Sequence, residues 1–384
     1  MSIRRIITKP RAATFVLGIA VATLTVGCAA GVSPEPSPVP APTNQPSSTI
    51  GPSLPQPPPD APLLESKTFS IAWVGDMNFG TGGHYPPGGF ATIFANLTDH
   101  LTSDLTIGNL ETVLGTATPN RCTLGVPSCY LFEAPPTVAQ ALKDAGFAAV
   151  NLANNHSLDA GPEGMEQTKA ALQDAGLNWA GDPGQITYMT AGGVSIALLG
   201  FGPNPTSADS RDIPTAQALV KEAKQNAQVV VVMMHMGAEG TNHEHLQPGH
   251  EYIDGYDRGD TMAFAHGVID AGADLVVGSG PHVLRGMEWY QGRLIAYSLG
   301  DFSGYNTLPT SGDFGISGIL NVTLDPGGGF VDGTVTPLRL VAPGTPTVDP
   351  DSKAWALMNS LSGADFGATA AVISPDGRIV PPTG

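Results

Sequence analysis

Five short apolar segments, each with the length of a buried strand, are followed directly by polar side chains of the kinds that bind metals. The stretches between several of them have the pattern of helices that begin near Pro and stop at Gly. Strands that alternate with helices in this way predict packed α/β layers. Because ligands of open α/β folds bind at the carboxyl ends of strands, we expect these polar residues to share one site.

The polar residues at the five strand ends are Asp76, Asn109 with Glu111, Asn155 with His156, His235, and His282. A single His after a strand is most often a structural group, but five polar strand ends in succession are hard to attribute to packing. Carboxylates, an amide oxygen and imidazoles form the mixed oxygen and nitrogen ligand set that Mn, Fe or Zn takes in proteins. The pattern therefore favours a site for one or two divalent metal ions.

Periodicity and turn residues also predict the individual elements. The predicted strands are Phe69–Val74, Asp104–Ile107, Phe147–Leu152, Ile186–Thr190, Val194–Phe201, Gln228–Met234, Leu275–Gly278, Val283–Tyr290, Arg293–Leu299, Gly318–Leu324, Phe330–Leu340 and Ala371–Ile373. The predicted helices are Thr92–Leu101, Pro136–Ala145, Pro162–Ala175, Pro214–Asn226, Asp260–Ala271 and Ser352–Leu361. The second half of the chain is therefore expected to be rich in strands.

The overall composition excludes some classes of protein. The chain carries 17 Lys and Arg against 34 Asp and Glu, for a formal charge of −17. Such an acidic chain lacks the basic surface that binding to a phosphate backbone requires, so we expect no nucleic-acid partner. Apolar residues make up 41% of the chain, which is enough for a sizeable core and excludes wholesale disorder.

The first 27 residues are typical of a signal peptide. Four basic residues precede an apolar run that is too short for a comfortable transmembrane helix. The run ends in a small residue before Cys28, which resembles the lipobox of bacterial lipoproteins. We therefore expect lipidation at Cys28, anchorage to the membrane and an extracytoplasmic location. The alternative is an ordinary signal peptide or short anchor with an incidental Cys.

The remaining chain is divided by composition. Residues 28–66 are Pro-rich, which predicts an extended linker between the anchor and a domain at 67–341. Residues 342–384 form a C-terminal extension that either packs on the domain or serves an interface. Cys122 and Cys129 flank a short loop, and in an exported protein such a pair is more often a disulfide than a metal site.

Five phrases of the sequence, in order and spacing, resemble the capsule-synthesis CapA family, which is associated with poly-γ-glutamate production. The phrases are Gly75–Gly80, Gly108–Glu111, Asn151–Asp159, His235–Glu239, and Gly280–Val283 with Tyr297–Phe302. This resemblance covers roughly Phe69 to Leu340. It implies a branch of the calcineurin-like metallophosphoesterase superfamily, and with it a metallophosphatase-like α/β/β/α sandwich of four layers.

The resemblance also implies roles for single residues. Asp76, Asn109, Glu111, Asn155, His235 and His282 would form the metal site, with Glu111 near the position of a bridging carboxylate. His156 would protonate a leaving oxygen or steady a phosphoryl group, with Asp159 as its orienting partner. Arg285 and Glu239 would contact the substrate. Arg258 is a second candidate anion contact, and for both arginines a surface ion pair is the alternative role.

The sequence departs from the family pattern at two positions near the last phrase. Many relatives have a His directly before the Pro-His pair, where this chain has Gly280. Asp301 stands where Asn is usual. The loss of one nitrogen ligand weakens at least one metal position, so the centre is expected to hold either one ion or two. An imidazole from the loop His243–Glu251 is a candidate replacement, although such loops are more often solvated and without a site.

Together these features predict an extracytoplasmic, metal-dependent hydrolase or transferase that makes, trims or anchors an anionic cell-surface polymer or its precursor. Its partners would include subunits of a membrane synthase or export system. The rival prediction is a non-catalytic polymer-binding or scaffold subunit of that system. A phosphatase or nucleotidase unrelated to capsule is a third prediction, which the Tyr297–Phe302 phrase disfavours.

Overall fold

The fold is described from a computed structural model, which covers residues 67–118, 130–204 and 207–381. The predicted signal peptide, Cys28, the Pro-rich linker, Cys122 and Cys129 lie outside these residues. All the described residues belong to one compact unit. No helix within them has the length and apolarity needed to cross a bilayer.

The elements alternate as the sequence predicts. The strands are β1 Phe69–Asn78, β2 Leu105–Leu110, β3 Val113–Leu114, β4 Glu133–Ala134, β5 Phe147–Asn151, β6 Asn178–Ala180, β7 Thr187–Ala191, β8 Val194–Phe201, β9 Val229–His235, β10 Glu251–Ile253, β11 Tyr256–Gly259, β12 Leu275–Ser279, β13 Met287–Tyr290, β14 Arg293–Ala296, β15 Asp301–Gly304, β16 Ile316–Leu324, β17 Phe330–Val341, β18 Thr345–Val348, β19 Val372–Ile373 and β20 Ile379–Val380. The α-helices are α1 Ala91–Phe94, α2 Thr137–Asp144, α3 Gly161–Asp174, α4 Ile213–Asn226, α5 Thr261–Asp270 and α6 Lys353–Phe366.

Two large sheets form the centre of the molecule. The first has the order β18-β17-β16-β1-β2-β5-β6, and β15 also pairs with β1. The second has the order β13-β14-β12-β9-β8-β7. In the first sheet β1, β2, β5 and β6 are parallel, and in the second β8, β9, β12 and β14 are parallel. The polar residues that the sequence predicts to share one site therefore lie at the carboxyl ends of these two parallel sets of strands.

The two sheets pack face to face and helices cover their outer faces. Alternate residues of β1 and β9 point to opposite sides, so Trp73 and Val231 meet in the core between the sheets. Val74 packs under α2 and α3 on one side, and Val232 packs under α4 and α5 on the other. Strands buried on both faces explain the continuous apolar runs in the sequence. The predicted four-layer α/β/β/α sandwich is confirmed.

Three predicted elements are shorter in the structure. The predicted helix Thr92–Leu101 is one turn of α-helix at Ala91–Phe94 and a separate 3₁₀ turn at Thr98–His100. The break lies at residues 95–97, where Asn96 is a poor helix former and Leu97 leaves the helical region with a φ of −125°. The predicted strand Val283–Tyr290 corresponds to β13, which begins only at Met287 because residues 280–286 form the loop that carries His282. The predicted strand Arg293–Leu299 corresponds to β14, which ends at Ala296, and Leu299 beyond it pairs with Leu284 of that loop.

The C-terminal residues pack on the sandwich. β18 pairs with β17, and α6 places Ala354 and Met358 in the core between the sheets. Ile373 and Ile379 of β19 and β20 join the same core. The structure therefore shows residues 345–380 packed on the domain, which is one of the two roles that the sequence predicts for the extension 342–384.

Candidate metal centre

The predicted polar residues of both sheets meet in one buried cluster. Asp76 lies beside Asn109 where β1 pairs with β2, and His235 lies beside Ser279 where β9 pairs with β12. Asp76, Asn109, Glu111 and His235 are fully buried, and His156 and His282 are nearly so. Parallel strands whose carboxyl ends face the same way account for this convergence.

Asp76 connects the two sheets through its two carboxylate oxygens. Its Oδ1 accepts a hydrogen bond from Asn109 Nδ2 at 2.7 Å within the first sheet. Its Oδ2 accepts one from the backbone amide of Gly280, at 2.9 Å, in the loop that follows β12. The carboxylate is therefore held in one orientation before any ligand binds.

Glu111 is the least satisfied group of the cluster. Both of its carboxylate oxygens are buried, and neither has a hydrogen-bond partner among the described residues. His235 Nε2 lies 3.6 Å from Oε1, and His282 Nδ1 lies 3.9 Å from Oε2. A buried carboxylate without partners is costly in a protein interior. This arrangement fits a cation that Glu111 would bind.

Three residues are arranged as a ligand set. Asp76, Glu111 and His282 each offer one atom such that the three atoms lie within 4.8 Å of one another. His282 takes a left-handed backbone conformation, with a φ of 59°, which is rare for a residue with a Cβ. Such strained conformations are concentrated at functional sites, and this one directs the His282 ring toward the two carboxylates.

The two carboxylates of this set have opposite pKa shifts. Burial opposes ionisation of Asp76, but its hydrogen bond and charge interaction with His235, aided by His282 and the Gly280 amide, hold its pKa below the ordinary value. Burial raises the pKa of Glu111 well above its ordinary range, and the negative charge of Asp76 raises it further. Divergent pKa values in a buried cluster are typical of functional sites.

Asp301, which the sequence showed only as a departure from the family pattern, lies against His282. Its Oδ1 is 2.8 Å from His282 Nδ1, and its Oδ2 is buried without a hydrogen-bond partner among the described residues. Burial disfavours the charged form of His282, but Asp301 and Glu111 raise the pKa of this imidazole well above its usual value. Burial raises the pKa of Asp301 to about 6, against the lowering effect of His282.

His235 and Asn155 form the other half of the cluster. His235 Nε2 lies 2.6 Å from Asn155 Oδ1, and its Nδ1 lies 3.1 Å from Asn109 Nδ2. Burial lowers the pKa of His235 to about 4, so this imidazole is neutral at pH 7. Asn109 donates to Asp76, and its carbonyl oxygen accepts a hydrogen bond from Asn151 at 2.9 Å. Its amide thus orients Asp76, and the structure gives no direct support for Asn109 as a metal ligand.

His156 and Asp159 are placed as a pair at the edge of the cluster. His156 Nδ1 lies 2.7 Å from Asp159 Oδ2, and the same oxygen accepts a hydrogen bond from the Phe132 amide. The His156 ring packs on Phe132 with centroids 4.1 Å apart, and its Nε2 lies 4.0 Å from Glu111 Oε1. The contacts with Asp159 and Phe132 fix the ring so that Nε2 faces the candidate metal ligands.

Arg285 lies away from the candidate site. Neither Arg285 nor Arg258 forms a surface ion pair, the alternative role that the sequence leaves open for both. Arg285 is fully buried, with Nη1 and Nη2 bound to Glu251 at 2.9 and 2.6 Å. It also donates to the carbonyl oxygens of Ala238 and His243. These contacts hold the loop after β9. They occupy the guanidinium of Arg285, which is therefore not available to bind a substrate. Glu239 lies half-buried at the site, 3.4 Å from Arg258.

The buried Arg285–Glu251 pair makes a prediction about stability. Arg285→Met should lower the free energy of unfolding by about 3–5 kcal/mol, because it leaves the Glu251 carboxylate buried without its charge partner. Arg378→Met removes an exposed ion pair with Asp332 and should cost less than about 1 kcal/mol. Urea unfolding of both variants measures the difference. Equal losses would show that the buried pair is no more important than the exposed one.

The loop His243–Glu251 supplies no replacement ligand within the part of the chain that the structure describes. His245 pairs with Asp365 and His250 pairs with Asp257, both at the surface. His243 contributes its backbone oxygen to Arg285. The histidines of the loop therefore correspond to the solvated alternative, while Leu246 packs into the core and Glu251 reaches Arg285.

Comparisons with known proteins agree with this arrangement. Residues 70–305 match the model of the family described as bacterial capsule synthesis protein PGA_cap. The capsule biosynthesis protein CapA of Bacillus anthracis is 30% identical over 62% of this chain and 60% of its own length. The PGA biosynthesis protein CapA of Bacillus subtilis is 36% identical over 42% of this chain and 43% of its own length. The chain thus spans about half the length of these relatives.

A solved structure with a related arrangement is the 5'-nucleotidase precursor of Thermus thermophilus, with a TM-score of 0.40 and 15% identity over 75% of this chain and 57% of that one. The family match spans most of the sandwich and all the strand ends that form the candidate centre. This chain belongs to the bacterial capsule synthesis family PGA_cap.

Proposed function

We propose that this chain is a metal-dependent hydrolase or transferase that acts on an anionic cell-surface polymer, or its precursor, at a phosphoester or amide bond. One observation supports this above the others. Glu111 presents two buried carboxylate oxygens without hydrogen-bond partners among the described residues, directly beside Asp76 and His282. A protein interior keeps such a group where a cation binds it.

Asp76, Glu111 and His282 would hold the ion, and Asp301 stands next to them with one buried oxygen that has no hydrogen-bond partner in the described part of the chain. Three oxygen donors and an imidazole suit Mn or Fe, and Zn also accepts such a set. A divalent ion at this position supplies Lewis acidity and lowers the pKa of bound water toward neutrality. The protein's own part is to fix the donors, which the Gly280 amide and Asn109 do for Asp76.

His156 would provide the proton that a leaving oxygen requires. Its Nε2 faces the ligand set, while Asp159 holds the opposite ring nitrogen at 2.7 Å and so fixes the tautomer and the ring orientation. A histidine held by a carboxylate in this way is a common general acid. The packing of Phe132 against the ring restricts access of water from that side.

The cellular setting is also part of the proposal. The basic and apolar N-terminal segment, Cys28 and the Pro-rich residues 28–66 support a lipid-anchored domain outside the cytoplasm. Membership of a capsule synthesis family supports an anionic polymer of the cell surface as the substrate, with poly-γ-glutamate as the first candidate. Subunits of a membrane synthase or export system would be its partners.

The experiment is a metal analysis of the purified full chain, followed by an assay of bis(p-nitrophenyl) phosphate with and without Mn²⁺. We expect bound metal and Mn²⁺-dependent turnover, and we expect Asp76→Ala to lose both. Asp99→Ala, which removes an exposed carboxylate away from the site, should keep both. Absence of metal and turnover, with Asp76→Ala indistinguishable from the parent, contradicts the enzymatic proposal.

A second candidate function is a non-catalytic subunit that binds or organises the polymer. The specific observation in its favour is Gly280, which offers no side chain where many family members have a histidine. Polymer binding that persists in Asp76→Ala and His282→Ala would favour this function, because both substitutions remove metal ligands. Loss of binding in both variants would favour the metal-dependent one.

A further inference from the structure

Arg258 places a permanent positive charge inside the half of the cluster that contains His235. This residue is at the end of β11, and only 3% of it is exposed. Its Nη2 lies 3.3 Å from His235 Nε2 and donates to the carbonyl oxygen of Gly280 at 3.3 Å. Its Nε donates to the carbonyl oxygen of Gly237 at 2.8 Å. The guanidinium is thus fixed by backbone groups from two loops of the site.

The missing side chain at residue 280 makes room for this guanidinium. A Cβ added to Gly280 would lie 3.1 Å from Arg258 Nη2 and 3.2 Å from His235 Cδ2. Gly280 also has a φ of 109°, a conformation that a residue with a side chain rarely adopts. A side chain at position 280 and the guanidinium of Arg258 would therefore compete for the same space.

The charges of the cluster are divided unequally between its halves. Asp76 and Glu111 lie between the two halves: they are 3.4 and 3.6 Å from ring nitrogens of His235 and 3.4 and 3.9 Å from His282. Asp301 adds a third carboxylate on the His282 side, at 2.8 Å. The half around His235 contains the amide of Asn155 and the cation of Arg258, which lies 3.4 Å from Glu239. A divalent ion bound beside His235 would share Asp76 and Glu111 with the ion at His282 and would have the guanidinium of Arg258 as its neighbour, which is unfavourable.

We propose that the guanidinium of Arg258 takes the place of a second metal ion, so that the centre binds one divalent cation and uses Arg258 to hold an anionic oxygen of the substrate. The inference rests on the proposed function, since it requires a metal at Asp76, Glu111 and His282. Arg suits this role because its planar donors bind phosphoryl and carboxylate oxygens and its charge does not depend on pH.

The test is a Mn²⁺ titration of the full chain by equilibrium dialysis, followed by titration of the Mn²⁺-loaded protein with inorganic phosphate. We expect one equivalent of Mn²⁺ in the parent protein and in Arg258→Lys, which keeps the charge. In Arg258→Met we expect a second, weaker equivalent and at least a tenfold loss of phosphate affinity. Circular dichroism shows whether each variant is folded.

Two equivalents of similar affinity in the parent protein would overturn this inference and leave the metal-dependent function standing. An Arg258→Met variant that is folded, with unchanged stoichiometry and phosphate affinity, would do the same. Absence of Mn²⁺ binding in every protein would overturn the proposed function as well. If Arg258→Met does not fold, the stoichiometry of the parent and of Arg258→Lys still decides: two equivalents in either one overturns the inference.

Discussion

Glu111→Gln is expected to make the metal-free protein more stable and to remove its stabilisation by Mn²⁺. In the parent protein both oxygens of Glu111 are buried without partners among the described residues, so the side chain costs free energy when no cation is present. A neutral amide of the same shape should recover about 1–3 kcal/mol of that cost. Thermal unfolding of both proteins in the presence of a chelator measures this gain.

Only the parent protein of this pair should be stabilised by metal. An ion that binds only the folded state stabilises it by about 2.7 kcal/mol at a free concentration of 100 times its dissociation constant. The parent protein should therefore unfold at a higher temperature when Mn²⁺ is added, whereas Glu111→Gln should not change. Glu222→Gln, an identical chemical change at an exposed position of α4, should behave as the parent in both conditions. A Glu111→Gln protein that gains stability from Mn²⁺ as the parent does would show that Glu111 is not a ligand.

His156→Gln is expected to reduce turnover by about 10²–10⁴-fold while the metal content stays the same. The reason is that His156 Nε2 faces the ligand set without being one of the three clustered donors, so its loss removes a proton donor and leaves the ion in place. Metal analysis and steady-state kinetics on the same preparations separate the two effects. A His156→Gln protein without metal would instead make His156 a ligand.

The choice of substrate sharpens this test. A p-nitrophenyl leaving group departs without help from an acid, whereas an alkyl leaving group requires a proton. The loss in His156→Gln should therefore be much larger for an alkyl phosphodiester than for a p-nitrophenyl one. Asp159→Asn should show the same dependence with a smaller loss, since it disturbs the tautomer and orientation of the ring but keeps the imidazole in place. His250→Gln, which changes a largely exposed imidazole, is the control and should leave both rates unchanged. Equal losses on the two substrates would rule out the proton-donor role.

Much of the fold follows from patterns that are local in the sequence. Helices that begin near Pro214 or Pro162 and strands such as Val229–His235 are specified by neighbouring residues, and so they appear close to their predicted positions. The division into two sheets is not local. Strands β1 and β9 are apolar on both faces, and such a run does not indicate which strand lies beside it or which sheet it joins. The arrangement in two packed sheets is predicted only by the resemblance to the capsule-synthesis family.

The site is predictable to a similar degree. Residues at the ends of buried strands converge because parallel strands end at one edge, and this rule predicts that Asp76 and Glu111 meet in the first sheet and that His235 lies beside the end of β12 in the second. That the two edges face each other depends on the packing of the sheets. The arginines were harder to place. Arg285 meets Glu251 across 34 residues, and Arg258 meets Gly280 across 22. Contacts of this kind depend on how loops fold over the sheets, and no periodicity in the sequence records them.

The hydrogen bond from the Gly280 amide to Asp76 joins two groups that are 204 residues apart in the chain and belong to different sheets. An ion bound by Asp76 and His282 would act at the same place as a reversible cross-link between the halves of the sandwich. Cross-links that close long loops reduce the conformational freedom of the unfolded chain most. Metal loading would thus make the two halves unfold as one cooperative unit, so that availability of the ion would set the lifetime of the folded protein.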